Sequence, residues 1–323
     1  MAEKNITDLT TASNGSYSPT ANTNIFTKSG STITWASISD ILKYYLSKSG
    51  NDIVLNNATN LKLSNGKSIQ DNANNIDMLM TYITNNGNDN AGFANSVFRG
   101  KNLGSSFTDA QSRDISSGTF QLVRLGDYWN IGGITWRVAD CDYFIHCGDN
   151  IDLGHHVVIV PDKCLKNGDG KTTACAMNDT DTTDGGYVNS KMKKTIIPSD
   201  EVTGKITSAF GSHVLQYRLL LCNAVANGVP SGWAWYDTKV DLMNEYMVYG
   251  SSITGSSRYN AGIRKTQLSL FRVARRFMNI RNNYWLSDCV SASEFANVSF
   301  DGKANWDGAS RPWLGCRPFF LLQ

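Results

Sequence analysis

A chain of 323 residues, 41% hydrophobic and 18% charged with a formal net charge of +2, is long enough for two or three structural units with a sizeable core. The near balance of charge gives no electrostatic basis for binding nucleic acid or an anionic membrane. The longest wholly apolar runs, such as 157–160 and 219–222, fall far short of the roughly twenty residues of a membrane span, so no membrane insertion is expected.

The opening Met1-Ala2-Glu3-Lys4-Asn5 lacks the basic-then-apolar build of a secretory leader, and synthesis in a cytoplasm is the expectation. The seven cysteines are odd in number and carry no close-set pairs, which points to reduced thiols; Cys141 and Cys147 are the pair near enough in sequence to close. Composition changes along the chain. Of the first 100 residues 40 are Asn, Ser or Thr, whereas all seven cysteines and seven of the eight tryptophans follow residue 125. The second part is therefore expected to hold a conventional core, and the first to gain its order by pairing with copies of itself.

In chain order, residues 32–48 read as one short helix, with Ile38, Ile41, Leu42 and Tyr45 at helical spacing behind Ser37. Ile53 and Leu55, then Leu61 and Leu63, alternate as two short strands. Ile69, Ala73, Ile76, Met80 and Ile83 then recur at four and three residues, the seam of a coiled coil. Isoleucine at the d positions 69, 76 and 83 favours three or four strands over a parallel dimer; the alternative is an ordinary amphipathic surface helix. The Asn- and Gly-rich stretch 85–92 breaks that helix.

From about residue 119 the pattern turns globular. A hairpin is expected around Gly132-Gly133 and a buried strand before Pro161. Helices are expected over 199–210, 214–226, 240–249 and 267–277, followed by antiparallel strands over 284–287, 295–300 and 316–322. Short helices set among meandering strands make this an α+β domain. The expected organisation is an attachment region (1–50), a stalk (51–92) and a globular domain (93–323).

Chemical motifs are sparse. Residues 179–185 superficially match a calcium loop, but the Gly falls one place late and Ser190 stands where a bidentate Glu is needed, which leaves a solvated loop as the main reading. His155 and His156 are adjacent, so on a strand they face opposite ways and cannot share a metal; a core or interface histidine is expected. No Cys-x-x-Cys pair, nucleophile elbow or phosphate loop appears, and no cofactor, no metal and no catalytic residue is expected. Asn305, Trp306, Asp307, Arg311 and Trp313 form the candidate ligand-binding segment, since an aromatic face beside Asn and Asp suits a pyranose ring. The alternatives are a structural Trp306, or a Trp313 that plugs the core and leaves Trp306 alone exposed.

Several words carry a resemblance. They are Phe98-Arg99-Gly100-Lys101-Asn102-Leu103-Gly104, Gly126-Asp127-Tyr128-Trp129, His155-His156-Val157-Val158-Ile159-Val160-Pro161-Asp162, Gly185-Gly186-Tyr187-Val188-Asn189-Ser190-Lys191-Met192, Ala234-Trp235-Tyr236-Asp237, Met243-Asn244-Glu245, Tyr284-Trp285-Leu286 and Gly315-Cys316-Arg317-Pro318-Phe319-Phe320. The roughly 230 residues from Phe93 onward resemble a domain of tailed-bacteriophage and prophage appendage proteins. That resemblance implies a fold related to C-type lectins and the formylglycine-generating enzyme, without known catalytic activity in the phage members. Ile6-Thr7-Asp8-Leu9-Thr10 and Thr32-Ile33-Thr34-Trp35 are similar to the attachment region of phage fibres. The implied protein is a virion structural component, a homotrimeric head or tail fibre, bound through its N-terminal region to other capsid or tail proteins. Its outward domain is expected to bind host-surface glycan. The rival readings are a decoration or assembly protein without a receptor role, and a polysaccharide depolymerase using Asp237 and Glu245.

Overall fold

The computed structural model describes residues 24–29, 32–37, 46–49, 52–55, 74–76, 90–255 and 266–323. The chain divides into two compact units, Met1–Asn86 and Gly87–Gln323.

In the first unit, β1 (Asn24–Ser29) pairs antiparallel with β2 (Thr32–Ser37), placing Phe26 opposite Trp35. A second hairpin joins β3 (Leu46–Ser49) to β4 (Asp52–Leu55). The expected helix over 32–48 is corrected at both ends, which are strands. The β-branched alternation of Thr32-Ile33-Thr34 outweighs the apolar spacing that suggested a helix. The middle of that helix, 38–45, lies outside the described residues, as do Leu61 and Leu63. Of the seam positions, Ile76 sits in a described helical turn, 74–76, and is 60% exposed. Ile69, Ala73, Met80 and Ile83 lie outside the described residues.

The second unit is α+β with antiparallel sheets. Its main sheet has the order β10-β14-β7-β6-β5, formed by β5 (Tyr128–Ile131), β6 (Ile134–Cys141), β7 (Val157–Pro161), β10 (Val240–Leu242) and β14 (Pro318–Leu322). β7 and β14 are buried at every position, as a strand covered on both faces requires. β5 and β6 meet through Gly132 (φ 61°) and Gly133 (φ 74°), the two positive φ values a tight hairpin turn of this hand demands. The expected hairpin, the strand before Pro161 and the helix before Phe210 are all present. The last opens with a π-type turn, Asp200–Gly204, and continues as Lys205–Phe210.

Two expectations are corrected. Residues 214–226 do not form a helix: β8 (Tyr217–Ala226) pairs with β9 (Val229–Thr238) in a two-stranded ribbon. A short apolar run such as 219–222 does not by itself discriminate strand from helix. Asn227 (φ 53°) and Gly228 (φ 75°), read from sequence as a helix stop, are the hairpin turn. In 240–249, Val240–Leu242 is a strand paired with β14, and the helix is only Glu245–Tyr249, capped by Asn244, whose Oδ1 accepts the Met247 N–H at 2.9 Å. The three expected final strands are present, divided between two sheets. β11 (Tyr284–Cys289), β12 (Glu294–Val298) and β13 (Ala304–Gly308) form a separate sheet, and β14 joins the main one.

Sequence reading also missed the helix Asp109–Ser116. Its start is a capping box: Thr108 Oγ1 accepts the Gln111 N–H and Gln111 Oε1 accepts the Thr108 N–H at 3.1 Å. The same Gln111 oxygen accepts the indole N–H of buried Trp129 at 3.0 Å.

The words behind the resemblance act as joints of this fold. Buried Asp127 accepts from Arg99 Nε at 3.0 Å and from the backbone N–H groups of Lys101 and Arg124, each at 2.9 Å. The Phe98 ring lies so close to Gly126 that a Cβ there would come within 2.3 Å of it. Arg137 forms two bonds with Asp162 (2.7 and 2.5 Å) and lies between the Tyr128 and Phe277 rings at 4.8 and 4.3 Å. Fully buried Arg317 donates through Nε to the Pro161 carbonyl at 2.9 Å and through Nη1 to the Phe277 carbonyl at 2.9 Å.

Candidate binding surface

The candidate segment occupies β13 and the turn after it. β12 pairs with both β11 and β13, so β13 is the edge of its sheet, with Trp306 opposite Ala296 and Asn305 opposite Asn297. Gly302 (φ 86°) shapes the turn into β13, closed by the Ser299 N–H on the Lys303 carbonyl at 2.9 Å.

Successive side chains on a strand point to opposite faces. Trp306 therefore lies on one face of β13, and Asn305 and Asp307 on the other. The pyranose site expected from these three residues together is not assembled. The reading in which Trp313 plugs the core is corrected as well, because Trp306 is 48% and Trp313 45% exposed.

What the fold does bring together is Asp307, Arg311 and Trp313. The Asp307 carboxylate lies 3.8 Å from Arg311 Nε, and the Arg311 guanidinium stands 5.4 Å from the centre of the Trp313 ring. On the far side, Asp307 Oδ2 accepts from Asn297 Nδ2 at 3.2 Å. Burial raises the Asp307 carboxyl above its ordinary value. Asn297, buried on β12, leaves its own Oδ1 without a hydrogen-bond partner, and a buried acceptor left open is unfavourable unless something fills it. Sequence reading missed Asn297. Its signal was a carboxamide within the apolar strand Phe295-Ala296-Asn297-Val298.

The turn carrying Arg311 is held from below by the acidic stretch 179–185. Asp181 Oδ1 accepts the Ser310 N–H at 2.8 Å and its Oγ–H at 2.6 Å, which holds its carboxyl below the ordinary range. A Cβ at Gly308 would fall 2.6 Å from the Asp181 carboxylate, so only glycine admits this contact. Asp179 accepts from Lys191 Nζ and from Thr173 Oγ1. The residues that suggested a calcium loop thus serve as loop ties. Among the described residues no group of three or more His, Cys, Asp or Glu is arranged to hold a metal ion, and no helix is long and apolar enough to cross a membrane.

Asp114, Asp140 and Glu245 hold backbone segments in the same way. Asp114 accepts the N–H groups of Gln121 and Leu122, each at 2.8 Å. Asp140 accepts the Ser269 N–H at 2.8 Å. Fully buried Glu245 accepts the N–H groups of Ile253 (2.9 Å), Thr254 (2.8 Å) and Gly255 (3.0 Å). Asp237, the suggested catalytic partner of Glu245, is exposed and pairs with Arg218 Nε at 3.0 Å. A carboxylate enclosed by amides and another held by arginine do not form an open acid–base pair. His156 is a core residue whose Nε2 accepts the Phe144 N–H at 3.1 Å, while His155 Nδ1 faces Asp142 at 2.7 Å. No family model matches the chain, and neither does any curated protein or any solved structure.

Proposed function

We propose that this chain is a non-enzymatic structural protein of a tailed-bacteriophage virion, a homotrimeric head or tail fibre whose C-terminal unit binds host-surface glycan. The observation that carries the binding role is the Asp307–Arg311–Trp313 group. An exposed indole under a guanidinium offers a ring face, and the carboxylate paired with that guanidinium is able to take hydroxyl protons. Of the two carboxylates suggested for chemistry, Glu245 is enclosed by backbone amides and Asp237 pairs with Arg218. Such a surface recognises without reacting.

The phage resemblance supplies the setting. A C-type-lectin-like arrangement is supported by a C-terminal strand set inside the main sheet and by a separate three-stranded sheet that carries the exposed turn. Trimerisation through Ile69, Ala73, Ile76, Met80 and Ile83 is supported by the exposure of Ile76, an apolar seam residue. Light scattering of the full chain is expected to report three chains per particle, and a monomer at micromolar concentration would remove the stalk. With three linked copies, weak single sites gain effective concentration and become useful adhesion.

Variants at Trp306 on β13 and at Trp313 in the turn after it provide the functional test. Trp313→Ala should weaken binding to purified host-wall polysaccharide by at least about tenfold, as expected for an aromatic anchor. Trp306→Ala should leave binding within about twofold, and both should shift stability by no more than about 0.5 kcal/mol, as for other surface sites. Loss with Trp306→Ala alone would move the site to the face of β13 that carries Trp306. No binding by the unmodified protein would favour a virion decoration protein.

A further inference from the structure

Charge is balanced over the whole chain but not along it. Between Glu245 and Asp288 lie 42 residues without an Asp or Glu, in a chain that holds 28 of them, and these 42 carry six of its 13 arginines and one lysine. Arg258, Arg264 and Lys265 lie outside the described residues. Arg272, Arg275, Arg276 and Arg281 are all exposed, and none of the four forms an ion pair among the described residues.

The fold sets this stretch against further arginines. Phe277 closes the turn Arg275–Phe277 and stacks on Phe98 with ring centres 5.6 Å apart, while the Arg276 guanidinium stands 4.9 Å from the Phe98 ring centre and 4.8 Å from that of Phe277. Phe98 adjoins Arg99, whose guanidinium shares the buried Asp127 carboxylate with the backbone N–H of Arg124. The Arg124 side chain lies over the Phe93 ring at 5.0 Å and donates through Nε to the Phe120 carbonyl at 3.0 Å. Burial and the charge of Arg99 lower the Arg124 guanidinium from its ordinary value. Three aliphatic side chains accompany these cations: Val97 next to Phe98, Leu122, whose carbonyl accepts Arg99 Nη2 at 2.7 Å, and Val273 at the end of the helix before Arg275. They are 60%, 47% and 43% exposed.

We propose that this surface, centred on Arg276 with Arg99, Arg124 and Arg275, docks an acidic segment of another protein that carries aliphatic side chains between its carboxylates. A guanidinium stacked on a ring keeps its in-plane N–H groups for a carboxylate. Arg137 shows the pairing within this fold: it lies over the same Phe277 ring at 4.3 Å and forms two bonds with Asp162, at 2.7 and 2.5 Å. The choice of arginine over lysine, set among aromatic rings, is the composition of a protein interface. The exposed valines and leucine decide the class of partner. A phosphate polymer has nothing apolar to place on them, whereas a peptide does. The surface shares no residue with the Asp307–Arg311–Trp313 group, so the two sites stand or fall separately.

The test is fluorescence anisotropy of the full-length protein with a labelled synthetic peptide of repeated Glu-Glu-Leu units. Micromolar binding is expected at about 50 mM salt, weakening at least about tenfold at about 300 mM. The double variant Arg275→Glu/Arg276→Glu should weaken it by at least about tenfold as well. Lys171→Glu/Lys194→Glu, which changes net charge equally through two other exposed cations, should leave it within about twofold. The peptide with Gln in place of Glu should not bind. No binding of the acidic peptide at low salt, an equal loss in the lysine variant, or tighter binding of polyphosphate or single-stranded DNA would each overturn the proposal. Phenylglyoxal labelling of the unmodified protein keeps the test open if the arginine variant fails to fold. Bound peptide should shield Arg275 and Arg276 but not the exposed Arg311, and labelling that the peptide leaves unchanged would refute the docking surface.

Discussion

Replacing Asp127 by alanine is expected to destabilise the Gly87–Gln323 unit by about 3–5 kcal/mol, the range for breaking a buried ion pair from one side. Asp127 is fully buried and joins segments far apart in sequence: it receives Arg99 from one loop, the Lys101 N–H beside it, and the Arg124 N–H of its own turn. Alanine leaves these donors facing a cavity. Arg99 is only partly exposed and also donates to the Gln121 carbonyl at 3.1 Å, so it cannot regain full hydration without moving the 121–124 segment. The measurement is urea unfolding followed by tryptophan fluorescence, because Trp129 and Trp136 are both buried in this unit. A loss under about 1 kcal/mol would show that the joint is not needed.

The second large effect is a gain. Asp288, nearly fully buried, accepts the Glu245 N–H at 2.8 Å, and burial together with the charge of Glu245 pushes its carboxyl up to about 8. In the unfolded chain it titrates near the ordinary value of about 3.9. Between these values the folded protein holds a proton that the unfolded chain has released. Stability from this group is therefore fully present below about pH 4 and is lost progressively as pH rises to about 8. Asp288→Asn removes the titration while keeping a carbonyl oxygen for the Glu245 N–H. The variant is expected to exceed the parent protein by about 2–4 kcal/mol at pH 7, and by little at pH 4. Urea midpoints at pH 4, 6 and 8 provide the check; a difference that stays constant with pH would sink the prediction.

Particular elements show how far the residues could be read. The β5–β6 hairpin was legible because Gly132-Gly133 permits a turn that few other pairs do, and β7 because an unbroken apolar run ends at proline. The helix Asp109–Ser116 was readable in principle from Thr108 and Gln111, and was missed because its apolar periodicity is weak. β8 was misread because a short apolar run suits either structure, and only the partner strand Val229–Thr238 decides.

The sequence by itself determined that the chain is built from two materials and that its second part is α+β, and it singled out Asn305, Trp306, Asp307, Arg311 and Trp313 as a candidate segment. These follow from composition, from local turn chemistry and from residue type, all of which act over a few neighbouring positions. The tertiary structure alone decided which face of β13 each side chain takes, because a strand's alternation has no inside until its partners are placed. It decided likewise that Asp181, 129 residues from Ser310, holds the turn carrying Arg311.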